Sequence, residues 1–293
     1  PTAPEVPLRD AARGVILPTL AEGGGRVRAS AEVIDPHTQT TVYAQSADGN
    51  GSGSVLDSID KVTGELRSKL GEAVKSIEKD SVPLPKVSTT NLDALKAYAL
   101  GEKKYSAGDA VEAQGYLRRA LELDPHFALA QASIGRLLIS QYQLAEGRRS
   151  LELAAGMRDH LTPREGLYLG AQLARFGPVA GLMARWRQLI ELYPDALNAR
   201  LGLASDGWML ANEYAPMLPH VEAGTKPQYV GRAQAQYLKG ILLLGLERYA
   251  DAIKAFEESR RNGFKGAGLL YAYAYAAQRD YARADKVFAA REV

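Results

Sequence analysis

From Asn91 onward the sequence repeats with a period of about 34 residues, and this repeat limits the fold more than any other feature. In the pattern, a small residue of the first predicted helix is followed by a small residue and then a large apolar residue of the second predicted helix. Small residues let two helices approach closely, and large ones fill the space beside them. The pattern therefore predicts stacked helical hairpins that bury their apolar sides against their neighbours. In the first unit the marked positions are Leu100, Gly101, Ala113, Leu117, Ala120 and Pro125.

The segment from Asn91 to Val293 has room for about six such units. The third unit carries one inserted residue, and the fourth is degenerate because Pro216 and Pro219 fall where its second helix should run. This order of small and large residues at this period is the tetratricopeptide pattern. The small residues that we expect at helix crossings are Ala113, Gly135, Gly170, Ala252 and Ala284.

The N-terminal part follows a different period. Between Arg26 and Val33 apolar and polar residues alternate, which predicts a half-buried strand. Apolar runs at 15–20 and 41–45 predict a strand on each side of it, and Asp35-Pro36-His37-Thr38 predicts the turn before the third strand. These signals indicate a small antiparallel meander. Its buried face should consist of Val27, Ala29, Ala31 and Val33.

A long amphipathic helix is predicted after the glycine-rich segment 49–54, with Ser54 or Asp57 placed to cap its start. We therefore expect a small α+β domain over 1–80, a linker over 81–90 and the repeats over 91–293. The fold class is mainly α: a right-handed tetratricopeptide solenoid preceded by a β-meander plus helix. The apolar positions of the predicted helix are Ile59, Val62, Leu66, Leu70, Ala73 and Ile77.

Composition excludes several classes of function. The chain has 36 basic and 34 acidic residues, a net charge of +2, so we expect no nucleic-acid partner. The absence of cysteine excludes thiol catalysis, disulfides and cysteine-based metal sites. No run approaches the about 18 apolar residues of a membrane helix, so we expect no membrane insertion. The chain begins without methionine, which suggests a processed product or a piece of a longer protein.

We find no catalytic residue, and we expect no metal and no cofactor. The glycine-rich segment 49–54 matches neither a dinucleotide fingerprint nor a phosphate-binding loop, so we interpret it as a flexible connector. No serine lies in a nucleophile elbow. The histidines are scattered without metal-ligand spacing, and they are His37, His126, His160 and His220. The chain itself is therefore predicted not to be an enzyme.

The favoured site is the concave groove that first helices line in such arrays, where a protein or an extended or helical peptide binds. Aromatic residues and arginine, which are enriched at interface hot spots, are prominent at the positions expected to point inward. The alternative is that the tyrosines only pack between adjacent helices. The candidate peptide-binding residues are Tyr98, Glu102, Arg136, Leu167, Arg175, Tyr237, Ile241 and Tyr273.

The segments Gly25–Pro36, Thr40–Tyr43 and Asn91–Tyr98 together resemble the C-terminal half of a TolB-like or FlgO-like domain joined to tetratricopeptide repeats. The nearest likeness is to the C-terminal region of the peptide modification system cyclases of gamma-proteobacteria, which are linked to class III adenylate cyclases. The resemblance implies a catalytic domain upstream, whose carboxylates have no counterpart here. It also implies a periplasmic location, with the cytoplasm as the alternative.

Three functions are compatible with these sequence features. The first is a non-enzymatic protein- or peptide-binding module that senses or docks within a bacterial signalling protein. The second is a regulatory fragment of a nucleotide cyclase or kinase whose catalytic domain lies upstream. The third is a scaffold for assembly of an envelope complex. The first is favoured because the repeats supply a binding surface and no catalytic constellation accompanies them.

Overall fold

The computed structural model describes residues 14–71, 89–226, 229, 231–266 and 268–289. The described residues form two compact units. The first contains the sheet region with 89–97, 119–129 and 157–162, and the second contains the rest of the helices. Most of the predicted linker, residues 81–88, lies outside the described residues, as do Ala73 and Ile77 of the predicted helix.

Three antiparallel strands form the sheet: β1 (Val15–Gly23), β2 (Arg26–Ile34) and β3 (Thr41–Asn50), in that spatial order. The alternation in β2 is confirmed, because its four predicted inward residues are each at most 6% exposed. β3 runs further than its apolar pattern predicts. Asp48 lies opposite Arg28 and accepts hydrogen bonds of 2.6 and 2.8 Å from its guanidinium, which extends the pairing into the glycine-rich segment.

Helix α1 (Val55–Lys69) packs on β2 and β3 and buries Val62 and Leu66 against the alanines of the sheet. A 3₁₀ turn over 52–54 precedes it. Ser54 occupies the N-cap position, but its hydroxyl donates to the carbonyl of Gly51 at 2.8 Å instead of accepting from the helix. The predicted side-chain cap is therefore wrong for Ser54. Asp57 lies inside the first turn, where its charge suits the helix dipole.

The remaining helices follow one another as six antiparallel hairpins in the described part of the chain, and we number these hairpins in chain order. This is the mainly α fold that the sequence predicts. The helices are α2 (Leu92–Ser106), α3 (Ala110–Leu123), α4 (Ala128–Ser140), α5 (Leu144–Gly156), α6 (Pro163–Ala174), α7 (Val179–Leu192), α8 (Leu197–Leu210), α9 (Leu218–Ala223), α10 (Arg232–Gly245), α11 (Tyr249–Arg261), α12 (Gly268–Ala277) and α13 (Tyr281–Ala289).

In the first, second and fifth hairpins a glycine of the first helix faces a large side chain of the second helix. A Cβ on Gly135 of α4 would lie 2.8 Å from Cγ of Leu151 on α5 and 3.0 Å from the carbonyl oxygen of Gly147. No real Cβ fits at that distance, so glycine sets the spacing of the two helices. The contact at Gly135 confirms the predicted crossing in the second hairpin, and glycines of the first and fifth hairpins make contacts of the same kind. The pairs are Gly101 with Leu117, Gly135 with Leu151, and Gly240 with Phe256.

The third hairpin departs from this rule. A Cβ on Gly170 would meet only Nη1 of Arg185, at 3.8 Å, so the predicted close crossing at Gly170 is wrong. Trp186 of α7 instead lies against Gly202 of the next hairpin, where a Cβ would be 2.7 Å from the indole. The bulk of the fully buried indole explains the shift, because it fills space between two hairpins.

The fourth hairpin has a short second helix, as its prolines predict. Pro216 lies in a 3₁₀ turn over 215–217, and Pro219 falls in the first turn of α9, which has only six residues. Met217 from this turn is 2% exposed, and its sulfur occupies the space that a side chain on Gly207 would need. The second helix of this hairpin is thus short, but the buried contact between Met217 and Gly207 is retained.

The turn inside a hairpin uses a left-handed residue to end its first helix. In the second hairpin Tyr142 has φ of 63°, its amide donates to Ile139, and the next amide donates to Leu138. This is the Schellman pattern, in which glycine is the usual residue. The equivalent left-handed residues in the first, fifth and sixth hairpins are Gly108, Glu247 and Arg279.

Replacement of Tyr142 by glycine should stabilise the protein by about 0.5–1 kcal/mol, because left-handed strain of about 1–2 kcal/mol outweighs the chain entropy of glycine. The tyrosine is 83% exposed, so little packing is lost. Urea unfolding gives the measurement. Glycine at the neighbouring Gln141, which has no positive φ, is the control and should not stabilise. A gain at Gln141 as large as at Tyr142 would contradict the strain argument.

Candidate protein-docking surface

Side chains from the first helices of successive hairpins meet each other. Nη2 of Arg136 on α4 donates to both carboxylate oxygens of Glu102 on α2, at 2.7 and 2.9 Å. The guanidinium also lies over the ring of Tyr105, with Cζ 4.2 Å from the ring centroid. Both charged side chains keep part of their surface exposed, 20% for Arg136 and 31% for Glu102. This ion pair therefore remains accessible to a partner.

Tyr98 lies one turn before Glu102 on α2 and is half-buried. Its hydroxyl is hydrogen-bonded to the side chain of Ser133 on α4. Burial raises the pKa of Tyr98 above its usual range, and the carboxylate of Glu102 adds to the rise. The phenol is therefore neutral throughout the physiological range and is able to donate a hydrogen bond.

Tyr168 continues the surface on α6. Burial raises the pKa of its hydroxyl, and the Arg136 guanidinium partly offsets that rise. Nε2 of Gln172 donates to the hydroxyl at 3.2 Å, and the ring meets Trp186 edge-on with centroids 5.3 Å apart. Tyr168 thus packs on Trp186 in the core of the third hairpin, and its hydroxyl feels the charge of Arg136.

Arg175, just after α6, reaches the next first helix. Its Nη2 lies 3.0 Å from Oδ1 of Asp206 on α8, whose side chain is only 2% exposed. Nε1 of Trp186 donates to the other oxygen of Asp206 at 2.7 Å. Burial raises the pKa of Asp206, while Arg175 and the Trp186 hydrogen bond partly offset this rise. We name Tyr98, Glu102, Arg136, Tyr168 and Arg175 the first-helix face.

The other four candidates have different surroundings. Ile241 on α10 is 7% exposed and belongs to the core, and Leu167 on α6 packs against the same core. Tyr237 on α10 also packs there and stacks on Phe264, with ring centroids 4.7 Å apart. Tyr273 on α12 is 55% exposed. Of the eight candidates, the structure therefore brings Glu102 and Arg136 into direct contact.

Sequence reasoning missed three members of these contacts. Glu102 and Arg136 are one repeat apart, so their pairing was readable from the period, but Tyr105 and Tyr168 were not singled out. Asp206 was missed because a carboxylate between apolar residues of a helix gives no sign of its partner. The only available signal was its place among the buried positions of α8, where an acid needs a cation.

No metal-binding group of three His, Asp or Glu residues occurs within the described ranges. Over those same ranges no helix is long and apolar enough to cross a membrane.

No protein-family model matches the sequence, and no curated protein matches it. Among solved structures, a MamA fragment from Desulfovibrio magneticus RS-1 is 14% identical over 69% of this chain and 94% of its own, with a TM-score of 0.36. PilF of Pseudomonas aeruginosa is 16% identical over 67% and 88%, with a TM-score of 0.38. A tetratricopeptide repeat protein from Parabacteroides merdae is 16% identical over 67% and 77%, with a TM-score of 0.39.

Proposed function

We propose that this chain is a non-enzymatic module that docks a protein or peptide on its first-helix face. The observation that carries the proposal is that polar side chains join neighbouring first helices, Arg136 of α4 to Glu102 of α2, and Arg175, just after α6, to Asp206 of α8. Arginine combines rigid area with hydrogen bonding and is enriched at binding hot spots.

The ion pairs define the chemistry of the partner. Arg136 and Arg175 each hold a carboxylate of this chain, so neither guanidinium carries uncompensated charge. An acidic partner would compete with Glu102 or with the almost fully buried Asp206 for these guanidinium groups. These contacts support a partner with mixed polar and aromatic side chains. Such a partner would add to the existing pair of Glu102 and Arg136.

Reversal of the exposed ion pair tests the site. A peptide selected from a random phage library serves as the probe, with calorimetry as the measurement. The double variant Glu102→Arg plus Arg136→Glu keeps opposite charges together and should weaken binding about tenfold or more. The matched control reverses Arg148 and Glu152, an exposed pair 2.8 Å apart on the second helix α5, and should leave the affinity unchanged.

An exposed tyrosine gives a second test. Tyr273 on the first helix α12 is 55% exposed, and Tyr281 on the second helix α13 is 62% exposed. If the first helix of the sixth hairpin also contributes to the binding surface, Tyr273→Ala weakens binding of the same peptide and Tyr281→Ala does not.

Two outcomes would contradict the proposed docking function. One is an equal loss of affinity in the two ion-pair reversals, and the other is a phage library that yields no binding peptide.

The wider context is also a proposal. The meander and helix over 14–71, with the resemblance to TolB-like or FlgO-like domains, support a sensory or docking role in a bacterial signalling protein. In that setting a nucleotide cyclase or kinase domain lies upstream, and this region lies in the periplasm. A pull-down from the native organism tests the setting. Recovery of many envelope subunits would instead favour the scaffold function.

We expect the isolated chain to have no cyclase, kinase or hydrolase activity and to bind no nucleotide or metal. The physical reason is that the carboxylate, histidine and phosphate-binding patterns these reactions need are missing from the sequence. Calorimetric titration with ATP, GTP, Mg²⁺ and Zn²⁺ provides the measurement. Saturable heat at micromolar concentration of any of these ligands would overturn the expectation.

A further inference from the structure

Two turns that lie far apart in the sequence are in direct contact. The first, Ala107–Asp109, joins α2 to α3, and the second, Phe264–Gly266, joins α11 to α12. The amide of Lys265 donates to the carbonyl oxygen of Ala107 at 2.9 Å. Nζ of Lys265 donates to Oδ2 of Asp109 at 2.8 Å. The first hairpin is therefore tied to the loop that precedes the sixth.

Gly108 is the residue that permits this approach. Its φ of +75° is not the reason, because Tyr142, Glu247 and Arg279 occupy the equivalent left-handed position in other hairpins. A Cβ on Gly108, however, would lie 3.0 Å from the amide nitrogen of Gly266 and 3.2 Å from Cε2 of Phe264. Glycine at this turn is thus explained by the neighbouring loop rather than by its own backbone.

The contact between the two turns is connected through Phe264 to Tyr237, one of the candidate binding residues. Phe264, which lies beside Gly108, stacks on Tyr237 of α10 with ring planes 26° apart. If the loop over 264–266 moves away from Gly108, the ring of Phe264 loses its packing contact with Gly108. The state of the contact is therefore linked to the exposure of Tyr237.

The contact is also weak compared with the hairpins that it connects. Besides the packing of Gly108 against Phe264 and Gly266, it contains one backbone hydrogen bond and one ion pair, in which the lysine is 66% and the aspartate 15% exposed. An ion pair whose lysine lies largely in solvent adds little to stability and is screened by salt. The hairpins, by contrast, are held by fully buried side chains such as Leu117 and Phe256. The contact is thus able to open while the hairpins stay folded.

We propose that the contact between Ala107–Asp109 and Phe264–Gly266 is a clasp that opens and closes. In the closed state Phe264 covers Tyr237, and opening uncovers it. That Tyr237 then meets a partner rests on the proposed function, whereas the clasp itself does not. The structure describes the closed state, and the opening step is a shift between two populations that a partner would favour if it binds Tyr237.

Two pairs of variants test the clasp on the full chain. Gly108→Ala adds a methyl group at the contact, and Gly263→Ala is its control, because Gly263 has φ of +88° with nothing within 4 Å. Lys265→Glu places two acids together, and Lys254→Glu makes the same charge change on an exposed lysine of α11. Lys265 is changed instead of Asp109 because Asp109 also accepts a hydrogen bond from the first turn of α3.

Two measurements that need no partner report on opening. Hydrogen exchange at the Lys265 amide should accelerate about tenfold in Gly108→Ala and Lys265→Glu, the factor for loss of one typical hydrogen bond. Nitration of Tyr237 by tetranitromethane, mapped by mass spectrometry, should accelerate as well, while nitration of the exposed Tyr273 stays constant. Neither control variant should change either rate.

The outcomes separate the clasp from the docking function. Unchanged exchange and nitration in both Gly108→Ala and Lys265→Glu overturn the clasp. Equal acceleration in Gly263→Ala also overturns it, because backbone strain would then explain the result. Failure of the phage selection, by contrast, counts only against the proposed docking function, since both rates are measured on the protein alone.

Discussion

Replacement of Arg175 by alanine should destabilise the second compact unit, which contains most of the helical hairpins, by about 3–5 kcal/mol at neutral pH. This is the usual cost of leaving a buried charge without its partner. The charge left behind is Asp206, whose side chain is 2% exposed. The hydrogen bond that Asp206 accepts from the indole of Trp186 does not neutralise it. Urea unfolding followed by circular dichroism at pH 7 is the measurement.

This loss should depend on pH. The pKa of Asp206 is raised above its ordinary value of 3.8 by burial, so the group favours the folded state at low pH and this contribution is lost as pH rises through the folded pKa. Removal of Arg175 raises that folded pKa further, because the guanidinium favours the carboxylate. The difference in free energy of unfolding between Arg175→Ala and wild type should therefore become smaller as pH falls towards about 4.

Two controls isolate the charge effect. Arg175→Ala in the Asp206→Asn background should cost much less than in wild type, since asparagine leaves no buried charge. Arg187→Ala removes an exposed arginine, 3.6 Å from Glu213, and should cost at most about 1 kcal/mol. A loss that is independent of pH, or equal in the Asp206→Asn background, would mean that Arg175 acts only by packing.

Replacement of Gly135 by leucine should destabilise the second hairpin by about 1–3 kcal/mol through overpacking. Its Cβ would stand 2.8 Å from Leu151, and the backbone carbonyl of Gly147 on the same side cannot move away without bending α5. Ala252, which is fully buried on α11, should respond in the same direction to Ala252→Leu. The midpoint of urea unfolding measures both effects.

Gly170→Leu is the matched control, because Gly170 has the corresponding place in the third hairpin but only Arg185 near its Cβ. Both glycine variants gain the same helix propensity, about 1 kcal/mol, so the difference between them reports the helix crossing alone. We expect Gly170→Leu to be neutral or stabilising. Equal destabilisation at the two sites would show that the crossing distances have no influence.

Much of the fold was readable from the sequence because it depends on local order. The period of small and large residues predicts the hairpins, and the alternation in β2 predicts its buried face, since side-chain direction follows from helix or strand geometry. Two prolines likewise predict the short second helix of the fourth hairpin. The candidates Glu102 and Arg136 also follow from the period, because equivalent positions of adjacent repeats become neighbours.

Tertiary structure alone decided the features that depend on contacts between distant residues. No local signal indicates that Asp206 compensates Arg175, that Trp186 packs against Gly202 instead of Gly170, or that Gly108 faces the loop around Phe264. Each depends on the three-dimensional placement of a side chain relative to another hairpin. The repeat period fixes which helices are adjacent, but the size and charge of individual side chains determine which atoms meet once those helices pack.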